Sequence, residues 1–219
     1  MQLIFREDID RDVWNWQRAV SAKSHGVEWK QFLPSSITLE EVQDEKYLRG
    51  YLDEKFYSSG KVANFREWLE KNVNESQIEA DLIVLMKKPF LSDAVTAYLT
   101  TFHRAPYDYK ASFFFLFEQK RRERSVTTIY HELMHFLFHW HYWDECRETG
   151  LSDKDIDELK EALTVLLEPI LKERGLPPDS GYVVHKELRE QLAKLYEATP
   201  DFPTFIEEVI PLYKKLLVK

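Results

Sequence analysis

The sequence predicts an α+β fold in which helices predominate and a small sheet has three or four strands. Apolar residues recur at helical spacing along most of the 219 residues, and several helical stretches follow capping signals. Short apolar runs that suit strands lie mainly between residues 81 and 118. We expect one domain, with 1–80 as a helical N-terminal elaboration, 81–175 as the strands and the two central helices, and 176–219 as C-terminal helices.

The N-terminal elaboration is predicted to begin with a short strand and to continue as helices. Residues 2–5 favour the strand, and Asp10 is predicted to cap a first helix that closes near His25. Thr38 and Glu41 form the pattern of a capping box, in which a hydroxyl and a carboxylate each bond a backbone N–H of the other residue. A further helix is therefore predicted after Thr38.

The middle of the chain carries the predicted strands and then a long helix. Residues 81–87 and 111–117 are apolar runs that favour strands, whereas residues 94–102 fit either a strand or a helix. Ser125 is predicted to cap a helix that runs to about Glu148.

The long helix contains the pattern H-E-x-x-H, formed by His131, Glu132 and His135. On an α-helix the two histidines lie one above the other, so both can reach one Zn²⁺ at about 2.0–2.1 Å. Glu132 lies about 100° round the helix, beside such a metal, where a general base belongs. Lys and Glu are typical of a polar helix face, but this helix has His139 and Tyr142 beside the motif. The pattern predicts a zinc-binding helix.

His141 is the nearest further histidine, but it is not expected to be the third ligand. It takes the position of the last histidine in the metzincin pattern H-E-x-x-H-x-x-G-x-x-H. That pattern needs a glycine at position 138 to turn the chain, and Phe138 stands there. On a continuing helix His141 lies about 240° round from His135 and faces away.

The helix that follows offers glutamates as alternative third ligands. Ser152 and Asp155 predict its N-terminus, and an apolar stripe runs along it. Glu158, Glu161 and Glu168 are the candidates, and the competing interpretation of the first two is that they are solvated helix charges.

Residues 111–170 resemble the gluzincins, the thermolysin-like clan of H-E-x-x-H peptidases, and are nearest in scale to the minigluzincins. The second helix of gluzincins often carries a ligand glutamate, a small residue directly after it and another small residue three positions on. Glu161, Ala162 and Thr164 match that arrangement after the H-E-x-x-H motif. Two positions depart from it: Lys160 stands where Asn or Asp is usual, and residue 165 is not acidic.

This resemblance implies a zincin-like domain with an active-site helix. It implies that His131, His135 and Glu161 bind Zn²⁺ and that Glu132 is the catalytic base. Gluzincins usually add a Tyr or His that stabilises the oxyanion, for which Tyr182 and His185 are candidates. The competing interpretation of these two residues is that they only form the start of a surface helix.

The sequence thus favours a zinc-dependent peptidase that acts on a peptide or protein substrate. The alternative is a metal-bound regulatory or interaction module on a peptidase scaffold, with little or no general proteolytic activity. A purely structural helical protein would bind no metal.

Charge and composition limit the classes of partner and the cellular location that can be expected. A net charge of −8 argues against nucleic acid, since phosphate binding needs a basic surface. The chain has no run of 18 apolar residues, so no membrane span is expected. Its N-terminus lacks a signal-peptide core, and Cys146 is its single cysteine. We expect a cytoplasmic protein.

Overall fold

The structure, a computed structural model, describes residues 1–217 and is an α+β fold in which helices predominate. The helices are α1 (Ile9–Ala19), α2 (Leu39–Gln43), α3 (Glu45–Leu52), α4 (Lys61–Asn72), α5 (Glu75–Met86), α6 (Glu123–His141), α7 (Trp143–Glu148), α8 (Asp153–Leu163), α9 (Glu168–Glu173), α10 (Lys186–Ala198) and α11 (Phe202–Leu217). The strands are β1 (Gln2–Arg6), β2 (Lys23–Ser24), β3 (Val27–Glu28), β4 (Ala94–Thr100), β5 (Tyr107–Asp108) and β6 (Phe113–Phe117). The predicted α+β class, with mainly helices and a small sheet, is confirmed.

The chain divides into two compact units. The first, called the sheet unit, comprises Gln2–Asn74 and Ala94–Ser125. The second, called the helical unit, comprises Met1, Glu75–Asp93 and Val126–Lys219.

The sheet unit is built on a mixed sheet of strand order β1-β4-β6-β5. β1, β4 and β6 are parallel, whereas β5 runs antiparallel to β6. In this register Leu3 lies opposite Val95, and Tyr98 lies opposite Phe115. The strand predicted at residues 2–5 is confirmed, and most of the stretches 111–117 and 94–102 forms strands, over Phe113–Phe117 and Ala94–Thr100. β2 and β3 form a separate hairpin.

Helix termini in the sheet unit differ from prediction at two places. Asp8, and not Asp10, caps α1 by accepting a hydrogen bond from the Arg11 backbone N–H. α1 ends at Ala19, and His25 instead lies with positive φ in the turn between β2 and β3. The capping box of Thr38 is confirmed.

Residues 81–87 do not form the predicted strand. They belong largely to α5, whose buried side chains are Ile78, Leu82, Leu85 and Met86. This spacing of three and four residues is helical, and the lone apolar run hid it because a short run suits a buried helix as well as a strand.

The long helix predicted from Ser125 to Glu148 is two helices. α6 already begins at Glu123, so Ser125 is not its cap; the Ser125 hydroxyl instead donates to the Phe117 carbonyl. α6 ends at His141, and Tyr142, at φ −126°, separates it from α7.

α8 begins as predicted. Ser152 and Asp155 form a complete capping box at its N-terminus. The helix is shorter than its apolar stripe suggested, because a 3₁₀ segment (Thr164–Leu167) separates it from α9. Of the helices in the described part of the chain, none has the length and apolarity to span a bilayer.

Candidate metal centre

Three predicted ligand residues converge within the helical unit. The Nε2 atoms of His131 and His135, one turn apart on α6, are 2.8 Å from each other. Glu161, on α8, places Oε1 3.1 Å from His135 Nε2 and Oε2 3.4 Å from His131 Nε2. His135 and Glu161 are buried, while the His131 side chain is 15% exposed. The cluster therefore reaches solvent on its His131 side.

Core packing and a hydrogen bond from a neighbouring side chain hold the Glu161 backbone in place. Ile156, Leu159 and Leu163 of α8 are completely buried, so one face of the helix is fixed in the core of its unit. Thr164 ends the helix and donates its hydroxyl hydrogen bond to the Glu161 carbonyl oxygen at 2.8 Å. The small residue three positions after Glu161 thus has a structural role at this helix end.

Asp179 is a member of the site that the sequence reasoning missed. Its Oδ2 lies 3.4 Å from His131 Nδ1, the ring nitrogen that points away from the cluster. A carboxylate in this position fixes the ring orientation and tautomer of a metal-binding histidine. Asp179 lies in the loop between α9 and α10, far along the chain from the H-E-x-x-H motif.

Arg189, on α10, secures Asp179. Its buried guanidinium donates to Asp179 Oδ2 at 3.3 Å and to the Asp179 carbonyl oxygen at 2.6 Å. It also donates to the Thr164 hydroxyl at 2.6 Å. Gly181 has a φ of +59°, and a Cβ there would lie 2.7 Å from the guanidinium. Glycine is therefore favoured at this position, because any other side chain would strain the backbone and displace the guanidinium.

A second contact ties the same loop to α6. Thr127 donates its hydroxyl hydrogen bond to the Pro177 carbonyl oxygen at 2.8 Å. The loop is thus held from α6 by Thr127 and from α10 by Arg189, with Asp179 between the two attachments.

Lys160 is an unexpected cation at the site. Its side chain is 2% exposed, and its Nζ lies 3.0 Å from Glu161 Oε1 and 2.9 Å from Asp157 Oδ1. In the sequence alone, position 160 is only a departure from the gluzincin pattern. In the structure it carries a buried positive charge that contacts the proposed ligand.

The two histidines have opposite pKa shifts. Burial, followed by the Lys160 charge, lowers the pKa of His135 to about 3, so this ring is neutral at pH 7. Burial also acts to lower the pKa of His131, but the Asp179 and Glu161 carboxylates outweigh it and raise that pKa well above its usual value. Burial alone would raise the pKa of Glu161, yet its contacts with His135, Lys160 and His131 hold it well below the usual range. Glu161 is therefore an anion.

Glu132 is buried beside the cluster and is not one of its three converging residues. Among the described residues no group donates a hydrogen bond to its Oε2. Burial raises the pKa of Glu132 to about 8, against the opposing charge of His131. A carboxyl in this setting takes up a proton readily.

The donor set suits a zinc ion. Zinc takes His nitrogens and carboxylate oxygens in a tetrahedral arrangement, which at bond lengths of about 2.1 Å places donor atoms roughly 3.4 Å apart. The three separations in the structure, 2.8, 3.1 and 3.4 Å, are close to that spacing. Glu161 Oε2 is also buried and, within the described chain, accepts no hydrogen bond. Two imidazoles that can bind in their neutral form, together with one carboxylate, match the ligand set of a catalytic zinc site. Such a site keeps its fourth coordination position open for water or substrate.

The other candidates from the sequence lie elsewhere. Glu158 pairs with His185, and the Tyr182 ring packs edge-on against His185 with centroids 5.9 Å apart. Glu168 has an oxygen 4.0 Å from an Arg189 nitrogen. None of these residues joins the cluster of His131, His135 and Glu161.

The two remaining histidines of α6, His139 and His141, contact residues outside the cluster. His139 stacks on the Trp143 ring at a centroid distance of 4.2 Å. His141 lies within hydrogen-bond distance of the Pro89 carbonyl oxygen, at 2.7 Å from its Nε2. The expectation that His141 is not a ligand agrees with this placement.

Comparison of the chain with protein-family models, with curated proteins and with solved structures found no match.

Proposed function

We propose that this protein is a zinc-dependent peptidase with a gluzincin-type site on a zincin-like domain. The observation that carries the proposal is the convergence of His131, His135 and Glu161 next to the buried carboxyl of Glu132. The first three residues would hold the metal, and α6 would be the active-site helix. The substrate would be a peptide or a protein.

The bound Zn²⁺ would supply Lewis acidity, which polarises a scissile carbonyl and makes a water molecule more acidic. The two histidines differ in the protonation state from which they would bind the metal. His135 is neutral and can offer its nitrogen lone pair directly, whereas His131 must lose the proton that Asp179 and Glu161 stabilise. Asp179 would then keep the His131 ring oriented through Nδ1.

Glu132 would act as general base and then as general acid. Its carboxylate would accept a proton from the attacking water and pass it to the leaving amine nitrogen. Burial supports this role, because a desolvated carboxylate is a stronger base than an exposed one. Glu132 follows His131 directly on α6, so the metal-binding helix also positions the base.

The test replaces Glu132 with glutamine, which has the same shape and no base function. We expect Glu132→Gln to keep about one zinc per chain and to lose roughly 10²–10⁴-fold in peptide hydrolysis. Zinc content and cleavage of a peptide library would be measured together. Glu207→Gln, at an exposed position of α11, is the control and is expected to keep full activity.

Two outcomes would contradict the proposal. Full activity of Glu132→Gln would exclude the assigned base. Wild-type protein that binds zinc but cleaves no member of the library would favour the alternative, a metal-bound regulatory or interaction module.

A further inference from the structure

We propose that Lys160 is a positioning residue that sets the zinc affinity of the site by competing with the metal for Glu161. In the metal-free protein its ammonium group neutralises the Glu161 carboxylate and occupies Oε1. Zinc consequently binds more weakly than the three ligands alone would allow. This inference rests on the zinc site proposed above.

The contacts of Lys160 show why its charge is directed at the ligand. Its Nζ lies 3.0 Å from Glu161 Oε1, while that same oxygen lies 3.1 Å from His135 Nε2. The second partner, Asp157, has a side chain that is 41% exposed, so solvent screens its attraction to Lys160. Glu161 is 7% exposed by its side chain and is the less screened of the two partners. The strongest attraction on the Lys160 ammonium is therefore to the proposed ligand.

Burial makes this pairing important to the metal-free protein. An isolated charge is costly to remove from water, and a buried pair is tolerated because each charge compensates the other. With Lys160 only 2% exposed, loss of its ammonium would leave Glu161 as a buried anion with less compensation. The metal-free state would then be less stable, whereas a bound cation would restore the balance.

The Lys160 ammonium lies next to the space that a metal would enter. It contacts Glu161 Oε1, the same oxygen that lies 3.1 Å from His135 Nε2. A metal ion entering the cluster would therefore be repelled by the Lys160 charge.

Both effects of removing Lys160 act in one direction. The repulsion between the ammonium and the metal disappears, and the metal-free reference state loses stability. Each effect favours the zinc-bound form. A residue with only a structural role would give the opposite result, because loosening Glu161 weakens metal binding.

The experiment compares Lys160→Met with wild type by competition titration of Zn²⁺ against a chromophoric chelator. We expect the zinc Kd of Lys160→Met to be at least about tenfold lower, and the Tm of its metal-free form to be lower than that of wild type. Lys160→Gln is a second variant that removes the charge and keeps a hydrogen-bond donor. If Lys160→Met does not fold without metal, the zinc Kd of Lys160→Gln is compared with that of wild type instead. Lys154→Met, at an exposed position of the same helix, is the matched control and should leave the Kd unchanged.

The outcomes separate this inference from the proposed function. Zinc binding by wild type with an equal or higher Kd in the Lys160 variants would overturn the role of Lys160 alone. Wild-type protein that binds no zinc would overturn the site and the inference together. Tight zinc binding without peptide hydrolysis would count against the peptidase, while the ratio of the two Kd values would still decide the role of Lys160.

Discussion

At the scale of single residues, the candidate site consists of ligands and of the groups that orient them. Asp179 faces the outer nitrogen of His131 and is held by the Arg189 guanidinium. Since Arg189 also bonds Thr164 at the end of α8, one side chain links the supports of two proposed ligands, His131 and Glu161. The geometry of the cluster therefore depends on residues other than the three proposed ligands.

Neutralising Asp179 is expected to weaken zinc binding. In Asp179→Asn an amide oxygen still accepts from Arg189, but the charge that orients and polarises His131 is lost. We expect the zinc Kd to rise by roughly 10–100-fold, as is typical for groups behind a metal ligand. Competition titration measures it, with the exposed Asp93→Asn as control. A change of less than about twofold would show that Asp179 does not support His131.

The residues that converge in the cluster could be predicted from the sequence, while the residues that support them could not. His131, Glu132 and His135 are recognisable because their spacing along one helix determines their geometry. Asp179 and Arg189 reach the site through a loop and a separate helix, and no fixed sequence spacing connects them to the motif. Lys160 could be seen only as a departure at one position, since burial is a tertiary property.

At the scale of secondary structure elements, a buried carboxyl joins α1 to the end of β4 in the sheet unit. Asp12 accepts hydrogen bonds from the hydroxyls of Thr100 and Thr101 at 2.6 and 2.7 Å, and from the Thr101 backbone N–H at 3.0 Å. Tyr57 donates a further hydrogen bond to it at 3.2 Å. Burial nevertheless dominates and raises the pKa of Asp12 to about 6.

This carboxyl is expected to make stability depend on pH. Because its pKa is higher in the folded chain than in the unfolded chain, its stabilising contribution is complete below pH 3.8 and is lost as the pH rises through about 6. Between pH 5 and pH 7.5 wild type should lose about 1.4 kcal/mol of unfolding free energy relative to Asp12→Asn. Urea unfolding of both proteins, followed by tryptophan fluorescence, measures the difference. A difference that is constant with pH, or that changes in the opposite direction, would exclude this role.

Element boundaries show where local signals suffice. The capping boxes at Thr38 and Ser152 were predicted correctly because each depends on residues three positions apart. Residues 81–87 were wrongly predicted as a strand because burial on one helix face becomes visible only with Ile78 included. The end of α6 at His141 was missed since Tyr142 fits a helical pattern while its backbone leaves the helix.

At the scale of the whole molecule, the predicted α+β class is correct, but the chain is organised differently from its sequence order. β1 pairs with β4, although more than eighty residues separate these strands. α5 lies between the two in the chain and belongs to the helical unit, with α6 and α8. Non-local pairing of this kind leaves little local trace in a single sequence.

The site nevertheless lies within one unit. The proposed ligands, the base and the supporting residues Asp179 and Arg189 all belong to the helical unit.

Anomalous diffraction at the zinc absorption edge, on crystals of the protein purified without added zinc, tests the central claim most directly. The expected result is one anomalous peak per chain, bonded to Nε2 of His131, Nε2 of His135 and a carboxylate oxygen of Glu161. Glu132 should lie beside the metal without binding it. The absence of a peak from this cluster, or a peak ligated by Glu158 or Glu168 in place of Glu161, would contradict the proposed site.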